Sequence, residues 1–186
     1  MSEGVFALIV VDMQIGLDDP QYGERCNPNC ETNIRRLLGA WRKAGQPVFF
    51  TQHISLRPGS PLARGGAGTS IKQEVAPVEG EAVFQKSVNS ALKDPLLLRE
   101  LQIANPSSVV VVGMATDTCV TATAREAKDL GYVTVVVGEA CATFARTTPE
   151  GDSYSAATVQ GVSLAALAAS GIYIRTASKA IEQATR

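Results

Sequence analysis

Apolar residues gather in short runs along the chain, separated by stretches with a helical spacing. Six runs read as strands: Phe6 to Val11, Pro47 to Gln52, Ala82 to Gln85, Val109 to Gly113, Val133 to Val137 and Ile172 to Arg175. VVVVG at 109–113 and VTVVV at 133–137 run on without alternating polar positions. Strands buried on both faces have no polar side, so these two predict a parallel sheet covered above and below by helices.

Between the runs, Ile34, Leu37, Leu38 and Trp41 fall on one helical face. Asn27 and Pro28 stand as cap and first residue of that helix, and Gly45 as its stop. Trp41 reads as core. Asp94 and Pro95 open a short helix carrying Leu97, Leu98 and Leu101, and the spacing predicts two more, Asp117 to Leu130 before Gly131 and Ser153 to Ala169 before Gly171. The stretch from Ile54 to Val78 has proline and glycine but no period. A loop that long in a compact domain reads as a lid or binding loop. A shorter irregular piece runs from Phe144 to Gly151.

At 186 residues the chain has the length of one domain, residues 1–186. Its 45 % hydrophobic content is enough for a core. A net charge of -1 without a basic run argues against a nucleic-acid partner. The longest N-terminal apolar run is too short to span a membrane and lacks a signal peptide's basic flank, so a cytoplasmic location is expected. Four cysteines without a secretory signal are expected as thiols, and the single histidine is too few for the usual catalytic zinc sets.

In an open parallel sheet, ligands bind beyond the carboxyl ends of the strands. Three reactive residues stand there: Asp12 in LIVVDMQ, Lys86 in VFQKSVNSA, and Cys119 in VVVVGMATDTCV, at the start of a helix. The helix dipole and a nearby ammonium favour a thiolate, and a carboxylate in contact can carry the thiol proton to a leaving amine. Singly, each has a plainer reading, as a turn former, an edge lysine and a small buried hydrophobe. Together at three strand ends they point to a nucleophile, its base and a tuning cation.

LIVVDMQ, VFQKSVNSAL, GMATDTCVTATAREAKDLGY and VVVGEACATF occur in the order seen in the isochorismatase-like cysteine hydrolases, which include nicotinamidases and N-carbamoylsarcosine amidohydrolase. The chain resembles that family over nearly its whole length. The resemblance implies an α/β fold, a three-layer α/β/α sandwich over a six-stranded parallel sheet of order 3-2-1-4-5-6. It implies Asp12 as acid/base, Lys86 as the lysine and Cys119 as nucleophile. It further implies an oxyanion hole from the N–H groups of Ala115 and Cys119, after a cis peptide between Met114 and Ala115, and a homodimer or homotetramer.

The sequence also departs from its relatives. Nicotinamidases hold a metal with an aspartate and two histidines after strand two, where FFTQHISLRPGSPL offers His53 alone. No metal and no cofactor is therefore expected. His53 either lines the pocket or caps its strand. Leu92 stands where the resemblance implies a phenylalanine and is expected, with Phe144, to shape the pocket. Cys141 is expected in a turn near the site. Cys26 and Cys30 lack the second pair a zinc knuckle needs.

The expected function is metal-independent hydrolysis of a C–N bond in a small amide-type substrate through a thioester. The alternatives are hydrolysis of an isochorismate-type vinyl ether, against which the cysteine counts, and a non-catalytic small-molecule-binding member of the fold. DMQIGLDDP after strand one lacks G-x-G-x-x-G, which sets dinucleotide binding aside.

Overall fold

The computed structural model describes residues 4–185. The apolar runs become strands β1 (Phe6–Val11), β2 (Val48–His53), β3 (Ala82–Lys86), β4 (Ser108–Met114), β5 (Val133–Ala142) and β8 (Tyr173–Arg175). All pairings among them are parallel, in the order β3-β2-β1-β4-β5-β8. The sixth strand of the expected order is β8, because a small antiparallel hairpin, β6 (Arg146–Thr147) and β7 (Ser153–Tyr154), intervenes in the chain. The helices are α1 (Cys30–Lys43), α2 (Pro95–Ala104), α3 (Thr121–Asp129), α4 (Ala156–Ala169) and α5 (Ala177–Ala184).

The pleat sends successive residues to opposite faces of the sheet. Leu8, Val10, Phe50, Val110, Val112 and Val137 meet Ile34, Leu37, Leu38 and Trp41 of α1 and Ala177 and Ala180 of α5. Ala7, Ile9, Val11, Val109, Val111 and Val136 meet Leu97 and Leu101 of α2, Ala124 and Ala127 of α3, and Leu167 of α4. Burying each large side chain stabilises by about 1.5–3 kcal/mol, so two continuous apolar layers hold the sheet. Trp41 is core, as expected, and its indole N–H donates to the Phe6 carbonyl at 2.7 Å.

Several expected boundaries move. Asn27 is not a helix cap: it takes φ 51°, its side-chain amide donates to the carbonyls of Glu139 and Cys141, and α1 begins at Cys30. The chain from Asp117 does not enter an α-helix directly but makes a π turn over Thr116–Val120 before α3. Ser153 belongs to β7, and α4 starts after Ser155, whose hydroxyl accepts from the Thr158 N–H. Cys141 lies not in a turn but inside β5, which a register irregularity carries on to Ala142. α5 carries no strong apolar run, and sequence reading missed it.

The segment 54–78 is pinned to the strand ends. The Ile15 N–H donates to the Ser70 carbonyl and the Lys72 N–H to that of Met13. Lys72 is only 6 % exposed, and its ammonium reaches Asp18 and Glu31 at 2.5 and 2.8 Å. This leaves a tip, 56–59, exposed over the carboxyl ends of the sheet. Among the described residues, no helix is long and apolar enough to cross a membrane.

Candidate active site

The chain leaves β1 at Asp12 with φ 49°, a left-handed conformation that aspartate tolerates better than most residues and that concentrates at functional sites. Asp12 is 1 % exposed. Its Oδ1 accepts from Thr51 Oγ1 at 2.7 Å and its Oδ2 from Lys86 Nζ at 2.5 Å. Lys86 ends β3, on the far side of β2 from β1, so its long stem crosses a strand's width to reach the carboxylate. The same Nζ donates to the Val88 carbonyl at 3.2 Å and lies 3.5 Å from Cys119 Sγ. Carboxylate, carbonyl and sulfur together occupy the three donors of the ammonium.

Cys119 reaches this point from β4. Gly113 approaches Val11 of β1, the Met114–Ala115 peptide is cis, and the π turn follows. Such turns are rare and recur at functional sites. The Ala115 carbonyl accepts from the N–H groups of Thr118 and Val120, while among the described residues nothing accepts from the Ala115 N–H. Thr123 Oγ1 donates to the Cys119 carbonyl and accepts from the Ala91 N–H, tying the turn to the segment after β3. Burial, and then the Asp12 carboxylate, push the Cys119 thiol up to about 12 against the opposing pull of Lys86. Burial beside a carboxylate therefore favours the neutral thiol at rest, opposite in direction to the lowering expected from the helix start and the ammonium.

Asp12, Ala115 and Cys119 lie in an inner cleft of about 260 Å³, walled by Met114, Tyr22 and Phe144. An outer compartment of about 480 Å³ is lined by residues 55–60, which carry the tip, and Tyr22, His53, Arg57, Leu62 and Asn89 line both. Phe144 lines the cleft as expected and stacks on Tyr22 with ring centroids 5.3 Å apart. Arg146 lies over the Phe144 ring and donates twice to Asp117, at 2.8 and 3.1 Å; Thr143 Oγ1 also donates to Asp117. Leu92 is not a pocket residue. At 2 % exposure it packs in the layer with Leu97 and Val120, turned inward by a short 3-10 turn that Ser90 caps.

His53 ends β2 beside Lys86 and faces the cleft. Its backbone N–H donates to Gln14 Oε1 at 2.7 Å, and its buried Nδ1 has no partner among the described residues. Burial and the Lys86 charge push the imidazole below its ordinary value, with Asp12 opposing. Asp12, His53 and Cys119 offer atoms within 4.8 Å of one another, a set that can hold a metal ion. The Lys86 ammonium already stands against two of the three, so this trio fits a divalent cation poorly.

Sequence reading missed Tyr22, Arg57, Asn89 and Arg146. Asn89 Oδ1 is 4.0 Å from the Cys119 sulfur, and its signal was its place in VFQKSVNSAL. Arg57 and Arg146 fall in the two irregular segments, 54–78 and 144–151, whose lack of period singled out neither side chain, and Tyr22 left no signal.

The isochorismatase domain family matches residues 6–168. An uncharacterized isochorismatase family protein of Bacillus subtilis, YrdC, is 37% identical over 161 residues, covering 87% of this chain and 86% of its own. The ureidoacrylate amidohydrolase RutB of Stutzerimonas stutzeri is 29% identical over 175 residues, covering 75% of this chain and 71% of its own. A solved isochorismatase-family structure from Chromobacterium violaceum superposes with a TM-score of 0.90 at 33% identity, covering 98% of this chain and 94% of its own. The chain belongs to the isochorismatase family of hydrolases.

Proposed function

We propose that this hydrolase cleaves the C–N bond of a small amide-type substrate through a thioester on Cys119, without a metal ion. The observation that carries the reading is Lys86 Nζ, 2.5 Å from Asp12 and 3.5 Å from the Cys119 sulfur at the floor of the cleft. As sulfur attacks the carbonyl carbon, its proton passes to Asp12 and the carbonyl electron pair moves onto oxygen. That oxygen is received by the N–H groups of Ala115 and Cys119, which stabilise charge that appears only in the transition state. The intermediate collapses, the C–N bond breaks, and nitrogen leaves with the proton from Asp12. Water then attacks the thioester, Asp12 takes its proton, and the departing sulfur recovers it. The Lys86 ammonium, against both groups, lowers the cost of negative charge on Asp12 and sulfur alike.

A neutral resting thiol suits this sequence, because a base in contact removes the proton only as the S–C bond forms. RutB, an amidohydrolase by name, supports the choice of bond. The test is to offer the purified protein a panel of small amides and ureides, follow ammonia release, and trap the acyl adduct by acid quench and peptide mapping. Ammonia release with an adduct on Cys119 is the expected result. Turnover without an adduct on that residue, or by a Cys119→Ala variant, overturns the mechanism.

A further inference from the structure

The groups at the floor of the cleft act on a carbonyl, and the charge around them bears on the rest of the substrate. Among the described residues lining the two compartments, the one carboxylate is Asp12, and Lys86 holds it. Arg146 is committed to Asp117 through two hydrogen bonds. Arg57 differs. It lines both compartments, it is exposed, and among the described residues its guanidinium has no hydrogen-bond or ion-pair partner.

The backbone that carries Arg57 is well fixed. Its carbonyl accepts from the Ser60 N–H at 3.3 Å, with Pro58 and Gly59 at the two central positions of the turn. Gly59 has φ 72°, and proline followed by a residue of positive φ is what a type II turn requires. The Arg57 N–H donates to Ser55 Oγ at 3.2 Å, and the Ser55 N–H donates to the Leu62 carbonyl. The turn thus holds one uncompensated positive charge beside a cleft whose other cations are paired.

We propose that Arg57 is a specificity-determining residue that receives a carboxylate at the end of the substrate remote from the bond broken, which makes the substrate class a short amido acid. The proposal rests on the amide-hydrolase reading of the same cleft. A guanidinium meets the two oxygens of a carboxylate with a matching fork. The described lining offers no second free cation for a dianion such as phosphate.

Calorimetry on the Cys119→Ala protein tests the subsite without turnover, using ω-amido acids with two to four methylenes and their neutral methyl esters as probes. The acid is expected to bind roughly tenfold to a hundredfold tighter than its ester, the usual range for a charge-assisted pair. Arg57→Gln is expected to collapse that ratio toward one, and Arg64→Gln, on the same segment but outside the lining, to preserve it. Equal binding of acid and ester, no binding of either, a ratio that survives Arg57→Gln, or one lost equally in Arg64→Gln overturns the proposal. Ammonia release by the native protein is scored separately. An acid that binds through Arg57 but is never hydrolysed upholds the subsite and overturns the amide reading. Neutral amides hydrolysed while acids do not bind does the reverse.

Discussion

At the residue scale, the site is a balance of charges around one sulfur. Burial and Asp12 hold the thiol up at about 12, and Lys86 pulls it down. A raised pKa means that the thiolate fraction, and with it alkylation by iodoacetamide, keeps climbing past pH 9 instead of levelling off near the usual thiol value of about 8.5. Asp12→Asn removes an upward cause, so its alkylation profile is expected to shift to lower pH while turnover of the proposed amide substrate falls by about 10²-fold or more. Peptide-resolved labelling across pH checks this, and an unmoved profile would show that Asp12 does not act on the sulfur. Lys86→Met is expected to cost about 3–5 kcal/mol of stability, because it leaves a buried carboxylate without its cation. Urea denaturation of Lys86→Met beside the Asp12→Asn, Lys86→Met double variant separates the two effects: the double variant should recover much of the loss.

At the element scale, the close approach of β4 to β1 sets where Cys119 arrives. A Cβ at Gly113 would lie 2.1 Å from the Val11 carbonyl oxygen, and its φ of 119° disfavours any side chain. Both obstacles are backbone, so Gly113→Ala is expected to destabilise more than an ordinary surface change and to cut turnover in whatever fraction folds. Thermal melting together with specific activity checks it, and a variant with native melting temperature and rate would mean that the strands can part without moving the sulfur. The glycine also illustrates what was legible. The strands, α2 and its Asp94 cap, and the meeting of Asp12, Lys86 and Cys119 at the strand ends were readable, because apolar runs, proline and reactive side chains are local signals. The π turn, the start of α1 at Cys30 and the extension of β5 past Gly138 were not. Each depends on a contact distant in sequence, as when the Asn27 side chain takes up the carbonyls of Glu139 and Cys141. Leu92 failed for a related reason: a pocket position carried over from relatives says nothing about which way a 3-10 turn points its side chain.

At the scale of the whole molecule, the sheet order brings four distant stretches of chain together at the carboxyl ends of the strands. β1 and β4 are neighbours at its centre, so Asp12 and Cys119 meet there, while β2 and β3 bring His53 and Lys86 in from one side. This arrangement bears on metal chemistry through charge. Asp12 and Lys86 pair with each other, burial favours the neutral Cys119 thiol, and burial and Lys86 push His53 towards its neutral form. A divalent ion entering among Asp12, His53 and Cys119 must displace the ammonium or stand beside it, and must also strip the thiol proton, since only the thiolate is a ligand. Lacking a second histidine, the chain has little to offset either cost. Turnover of the proposed amide substrate is therefore expected to survive exhaustive dialysis against a chelator, and added zinc is expected not to activate. The measurement is initial rate before and after chelation, with zinc and iron titrated back. Loss on chelation followed by recovery with either metal would show that Lys86 yields its place to an ion, and the metal-free mechanism would fall with it.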